Sequence, residues 1–201
     1  MEKKIQVYDG SRRLNRAVPL KAIRELNRIT PVNFQLKSNP EQLVDKFVRR
    51  NTNRASGQVN YDDFLEDMNN AKHMQRTFRD GKMIIIDEDF YTDKTNWVFG
   101  GFSRIVDGLG LIAVSTHRIK DNIHALDIFR HELGHMFNAT SHGREGTYES
   151  LGPHCSTPMC VMQQNLLPGK ALRYSHERAR SAPGIYCPKC SSEIRKYGGR
   201  R

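Results

Sequence analysis

The chain has 201 residues, with 32 Lys and Arg against 22 Asp and Glu, a net charge of +10 and a pI near 9.6. That length can bury a core without disulfides, which excludes a small cross-linked scaffold, and no run approaches the roughly 20 apolar residues of a bilayer-spanning helix. The positive balance suggests anionic surroundings or partners, but by itself it does not specify nucleic acid.

The N-terminus, Met1 to Gln6, is followed by no apolar segment of signal-peptide type, so a cytoplasmic location is expected. A strand or extended arm is predicted near Ile5 to Tyr8. Leu20, Ile23, Leu26 and Asn27 fall at helical spacing, and Pro31 ends that helix. Val32 to Leu36 alternates as a short strand. Pro40 and Glu41 open a second helix carrying Leu43, Val44, Phe47 and Val48. Residues 49–60 read as a basic loop. A third helix is predicted over 61–79 from Tyr61, Phe64, Leu65, Met68, Ala71 and Phe78.

Met83 to Ile86 is a continuous apolar run, expected as a central strand buried on both faces. Asp87, Glu88 and Asp89 follow it. Three acids at a strand end could bind a cation, but a solvated strand end is the simpler reading. Asn96 to Phe102, with the sole Trp, looks like a turn into a strand. Residues 109–116 read as a further strand, of the kind that can pair with an extended peptide.

The next helix carries the chemistry. Over 123–137, Ile123, Leu126, Phe129, Leu133, Met136 and Phe137 form an apolar face, with Asp121 or Asn122 as N-cap. This helix contains His131-Glu132-Leu133-Gly134-His135, an H-E-x-x-H motif. Residues four apart nearly superpose on a helix, so His131 and His135 can share one zinc from successive turns. Glu132 can then reach a water on that metal and act as its base. A third ligand is needed, and His142 and His154 are the nearby candidates. All four cysteines, Cys155, Cys160, Cys187 and Cys190, form two short-spaced pairs. In a reducing compartment such pairs indicate metal ligation rather than disulfides. The tail from 169 to 201 holds nine Lys and Arg against two Glu, and Tyr197 to Arg201 is expected to be flexible.

These residues together resemble the archaemetzincins, zinc metallopeptidases of the metzincin clan. That family runs H-E-x-x-H-x-x-G-x-x-H-C-x4-C-x-M, followed by C-x-x-C. His131, Glu132 and His135 match its first part. His154-Cys155, Cys160, Met162, Cys187 and Cys190 match the rest. Ile84 to Asp89, Trp97 to Gly100 and Ala113 to Ser115 resemble the strands upstream, so the likeness covers roughly 80–190. There is one departure. Asn138 stands at the family's Gly and Ser141 at its third His. An insertion over 139–151 repairs the pattern, and Asn tolerates the left-handed backbone that the Gly supplies. On this reading His154 is the third ligand, because Cys155 adjoins it. His142 is the alternative, closer in sequence and needing no long loop. A water, Glu145 or Glu149 would complete the shell if neither histidine binds.

The resemblance implies an α/β metzincin-like zincin domain, a twisted mixed sheet over an active-site helix. It divides a single domain into 1–138 and a C-terminal part, 139–201, with the third His, the Met-turn at Met162 and a structural zinc on the four cysteines. Two zinc ions per chain are expected, and the implied activity is hydrolysis of peptide or protein substrates, away from membranes. Two rivals remain. One is a weakly catalytic zincin that binds peptides, with the inserted loop over its cleft. The other is a nucleic-acid-associated protease like the SprT group, reached through the basic surface. The tail lacks the interleaved aromatics of a nucleic-acid stacking platform.

Overall fold

The structure, a computed structural model, describes residues 3–11, 14–15, 17–37, 41–71, 81–103, 109–164, 167–181 and 185–199. Six helices and ten strands lie among them, an α/β fold with a mixed sheet. None of these helices is long and apolar enough to cross a membrane. The chain divides into two compact units, Ala17–Val32 with Lys120–Arg201, and Glu2–Arg16 with Asn33–Ile119. This division does not coincide with the expected one at residue 138. It groups the helix bearing the H-E-x-x-H motif with the C-terminal residues.

The second unit carries the sheet. Its strands are β1 (Lys3–Asp9), β2 (Val32–Lys37), β3 (Val59–Asn60), β4 (Gly81–Ile86), β5 (Phe90–Thr92), β6 (Thr95–Val98), β7 (Gly100–Ser103) and β8 (Leu111–Ser115). Five of them form one sheet in the order β2-β1-β4-β8-β7. β4 pairs in parallel with β1 and β8, while β7 runs antiparallel to β8. Every residue of β4 is buried, Lys82 included, and Met83 to Ile86 within it form the central apolar run expected from the sequence. Ile84 and Ile86 enter a core with Phe47, Phe64, Met68 and Phe90. Two helices supply part of that core, α2 (Glu41–Asn51) and α3 (Tyr61–Asn70).

The expected loop over 49–60 begins later, because residues 49–51 complete α2. α3 is capped by Asn60, whose side chain accepts from the Asp62 and Asp63 amides, and ends at Asn70; residues 72–79 of the expected helix lie outside the described residues. Asn69 and Asn70 are poor helix formers, and Ala71 is already extended. Phe78 lies outside the described residues.

The acidic triplet after β4 is largely engaged. Asp87 accepts from the Ser11 and Thr116 hydroxyls. Asp89 pairs bidentately with Arg118 and accepts from Gln58. Of the three, Glu88 alone is exposed.

The first unit holds α1 (Ala17–Asn27), α4 (Asn122–Met136), the hairpin strands β9 (Thr147–Glu149) and β10 (Pro153–Cys155), α5 (Pro168–Ser181) and α6 (Pro188–Gly199). α4 packs against α1 and α5. Arg130 on α4 forms a bidentate pair with Glu25 on α1. Asp127 on α4 is buried against Ser175 and Arg178 of α5. α5 and α6 have no sequence forecast behind them. Tyr197 to Gly199, expected to be flexible, close the last turn of α6. Gly198 is needed there, because a Cβ would overlap the Thr30 hydroxyl.

Candidate metal centre and active site

α4 places the first three functional side chains. Asp121 caps it, accepting from the Ile123 and His124 amides. Leu126, Phe129, Leu133, Met136 and Phe137 are buried, while Ile123, at the first turn, is 40% exposed. The helix ends in a Schellman motif. The Ala139 amide donates to the Gly134 carbonyl at 2.8 Å and the Asn138 amide to His135 at 3.0 Å, with Asn138 left-handed at φ 57°. The turn that the sequence assigns to Asn138 is therefore present, and it redirects the chain into the loop over 139–152.

That loop folds as a hairpin. β9 and β10 pair antiparallel with His154 opposite Tyr148, and the Thr140 hydroxyl donates to the Pro153 carbonyl at 2.7 Å. The hairpin returns His154 to α4. One ring nitrogen from each of His131, His135 and His154 lies within 4.8 Å of the others. His142 is not brought there; it is exposed on the loop, 3.0 Å from Glu149. Glu145 pairs with Lys189 instead.

The donor chemistry of the cluster fits a cation. His131 Nδ1 lies 2.7 Å from the Val161 carbonyl, and His154 Nδ1 lies 2.9 Å from the Gly152 carbonyl. A carbonyl only accepts, so both Nδ1 atoms carry hydrogen and both Nε2 atoms present lone pairs. His131 Nε2 and His135 Nε2 are 3.1 Å apart. Ligands about 2.0–2.1 Å from a tetrahedral zinc sit about 3.3 Å from each other, close to this spacing. Burial, then the neighbouring imidazoles, hold His135 well below its ordinary pKa. Burial lowers His131 too, and lowers His154 to about 4. All three are thus neutral and available as ligands at neutral pH.

Glu132 projects from the same helix but stands apart from the ligand set. It is buried, and its Oε2 has no hydrogen-bond partner among the described residues. Desolvation pushes its carboxyl up to about 8. An unpaired buried carboxylate costs several kcal/mol unless a cation or proton is near, on the order of the penalties for isolated buried charges. It directly follows His131 on α4.

The four cysteines converge separately. Their Sγ atoms all lie within 4.8 Å, with Cys155–Cys187 and Cys160–Cys190 each at 3.8 Å. Thiolates about 2.3 Å from a tetrahedral zinc stand about 3.8 Å apart. The same distance is far beyond the roughly 2.05 Å of a disulfide. The Thr157 and Cys187 amides and the Arg144 guanidinium each donate to a sulfur at 3.4 Å. The hydrogen bond shared with Cys190, set against burial, brings the Cys160 thiol down to about 7.

The two clusters are joined residue by residue. His154 precedes Cys155 on β10. Val161, which accepts from His131, follows Cys160. Tyr186, beside Cys187, donates its hydroxyl to the Arg130 carbonyl at 2.6 Å. Met162 is fully buried, and its carbonyl accepts the Cys155 amide at 2.9 Å. It lies against Gly134, where a Cβ would overlap the Met162 sulfur and stand 3.0 Å from the Tyr186 ring. The glycine of H-E-L-G-H is therefore a contact requirement. Tyr148, Arg144 and Tyr186 carry no periodic or motif signal and were not legible as site neighbours.

No family model and no curated protein matches the sequence significantly. Solved structures match its fold. An archaemetzincin from Methanopyrus kandleri is 18% identical, with a TM-score of 0.65 over 99% of this chain and 97% of that one. The chain has the archaemetzincin fold. A zinc-dependent peptidase from Methanocorpusculum labreanum superposes with a TM-score of 0.62 at 17% identity, over 94% of this chain and 99% of its own. An archaemetzincin from Archaeoglobus fulgidus, complexed with malonate, gives 0.61 at 18% identity and the same coverage. The four-cysteine cluster sits in this fold as a group able to hold a structural zinc.

Proposed function

We propose that the chain is a zinc-dependent metallopeptidase. His131, His135 and His154 hold a catalytic zinc, Cys155, Cys160, Cys187 and Cys190 hold a structural one, and Met162 forms the floor under the histidine site. The observation that carries this reading is the convergence of three neutral imidazoles beside the buried, unpaired carboxyl of Glu132. The fold neighbours support it, since one is described as a zinc-dependent peptidase.

Bound there, zinc supplies Lewis acidity toward a peptide carbonyl and brings the pKa of a water near neutrality. Glu132 takes the proton from the attacking water and delivers it to the leaving nitrogen. Its buried surroundings raise its basicity, and the charge of a bound zinc would favour its ionised form. The carbonyls of Val161 and Gly152 fix the tautomers of His131 and His154, so both keep Nε2 toward the site. A reducing, cytoplasmic setting keeps the four thiols free for metal.

The test is Glu132→Gln in the full chain. Zinc content by elemental analysis should stay at two per chain, while peptide cleavage falls by about 10²- to 10⁴-fold. Cleavage as fast as the parent's would sink the proposal.

A further inference from the structure

Tyr148 is the aromatic side chain that the hairpin turns toward the histidines. It stands directly opposite His154 in the antiparallel β9–β10 pair, and directly paired residues project from the same face. The two rings are 6.0 Å apart and tilted by only 32°. Since His154 points into the three-histidine cluster, Tyr148 flanks that cluster. It is nevertheless 38% exposed, so part of the side chain is open to whatever enters from solvent. The hydroxyl oxygen is fixed, because it accepts the Gln164 amide at 3.1 Å. Its hydrogen has no acceptor among the described residues. A phenol held by its oxygen, with an unused hydrogen beside a candidate hydrolytic centre, is a preorganised donor.

We propose that Tyr148 contacts the substrate, donating its hydroxyl hydrogen to the carbonyl oxygen of the peptide bond being cut. The proton stays on the phenol; the hydrogen bond strengthens as negative charge builds on that oxygen. This inference rests on the peptidase reading above for its substrate. Tyr148 belongs to the loop that departs from the archaemetzincin motif spacing, so the departure itself would contribute a working residue. A purely structural role is the competing explanation, in which the hydroxyl only ties the hairpin to Gln164.

The experiment compares the zinc-loaded full chain with its Tyr148→Phe variant, which keeps the ring against His154. The probe is the phosphinic analogue of tri-alanine, whose tetrahedral P–O⁻ stands in for the developing oxyanion, with binding followed by calorimetry. The variant should retain zinc and melting temperature, bind the probe at least tenfold more weakly, and lose about 100-fold in kcat with little change in KM, as for removal of one oxyanion donor. Equal probe binding by both proteins, absence of binding by the parent, or loss of zinc or melting temperature in the variant would overturn it. If the probe discriminates the two but the parent cleaves no peptide in a broad mixture, the peptidase reading fails and the Tyr148 contact stands.

Discussion

The histidine and cysteine clusters differ in the way that separates working metal sites from structural ones. The cysteine cluster offers four donors at tetrahedral spacing and is mostly buried. Its sulfurs accept from two backbone amides and a guanidinium. The histidine cluster offers three donors, an unpaired carboxyl and a half-exposed tyrosine beside it. Yet the open cluster does not hold itself. His154, Val161 and Tyr186 each adjoin a cysteine in sequence, so the closed cluster sets the positions of what surrounds the open one. On the proposed reading the difference is a division of labour, in which the four-cysteine site would position residues around the histidine site without taking part in the chemistry.

The largest effect should come from breaking the closed cluster. Cys190→Ser removes one donor from a site whose metal, in small zinc domains, contributes about 10–16 kcal/mol of apparent binding energy. Zinc content should fall from two per chain to none, not to one, with a collapse of near-ultraviolet circular dichroism. A variant that keeps one zinc and still cleaves peptides would show the clusters to be independent.

Next is Arg178→Ala. Arg178 and Asp127 form a buried pair between α5 and the metal-bearing helix. Removing one partner strands the other's charge, at a cost of about 3–5 kcal/mol. The pair ties α5 to α4 one turn before His131, so urea denaturation should record the loss while cysteine-site zinc persists. Asp127→Leu with Arg178→Met should recover most of the stability.

This same pair explains what the sequence concealed. The strands were legible because runs such as Met83 to Ile86 are apolar throughout, and α4 because its apolar residues recur at helical spacing. α5 buries Ala171, Ser175 and Arg178, so its inward face is mostly polar and gives no apolar stripe. α6 starts inside the C-x-x-C and shows only Cys190 and Ile194 as buried anchors. At the site, His131, Glu132 and His135 follow from helix geometry. His154 lies 19 residues beyond His135, so only its junction with Cys155 marked it. Tyr148 sits in a polar loop, where an aromatic carries no pattern.

A pH series on protein chelated only far enough to strip the histidine site, with zinc kept on the cysteines, sharpens the contrast further. The three histidines have folded pKa values below the unfolded value of about 6.5, so the stability they permit is complete above that pH and is lost as pH falls toward about 4. Glu132 has the opposite sign. Its folded carboxyl is raised to about 8, so stability falls as pH rises from the unfolded value through that point. Chelated protein should therefore be most stable near pH 6.5, with a single-proton slope of about 1.4 kcal/mol per pH unit on the alkaline side. Glu132→Gln should abolish that alkaline slope and steepen the rise on the acid side, where Glu132 opposes the histidines. An unchanged slope in the variant would mean another group produces it.

The smallest effect tests the joint between the clusters. Asn138 sits left-handed at φ 57° and turns the chain from α4 into the hairpin that carries His154 and Cys155. Alanine there keeps both backbone hydrogen bonds of the Schellman motif but must adopt a conformation that costs an L-residue about 1–2 kcal/mol. Glycine adopts it freely, at the expense of more entropy in the unfolded chain. Asn138→Ala should lower the melting temperature by a few degrees, as about 1 kcal/mol does in a chain of this size, and Asn138→Gly should leave it nearly unchanged. Both should keep two zinc per chain, because the cysteines, not the turn, fix where the hairpin ends. Loss of zinc from the histidine cluster in Asn138→Ala alone would move that role from the cysteines to the helix terminus.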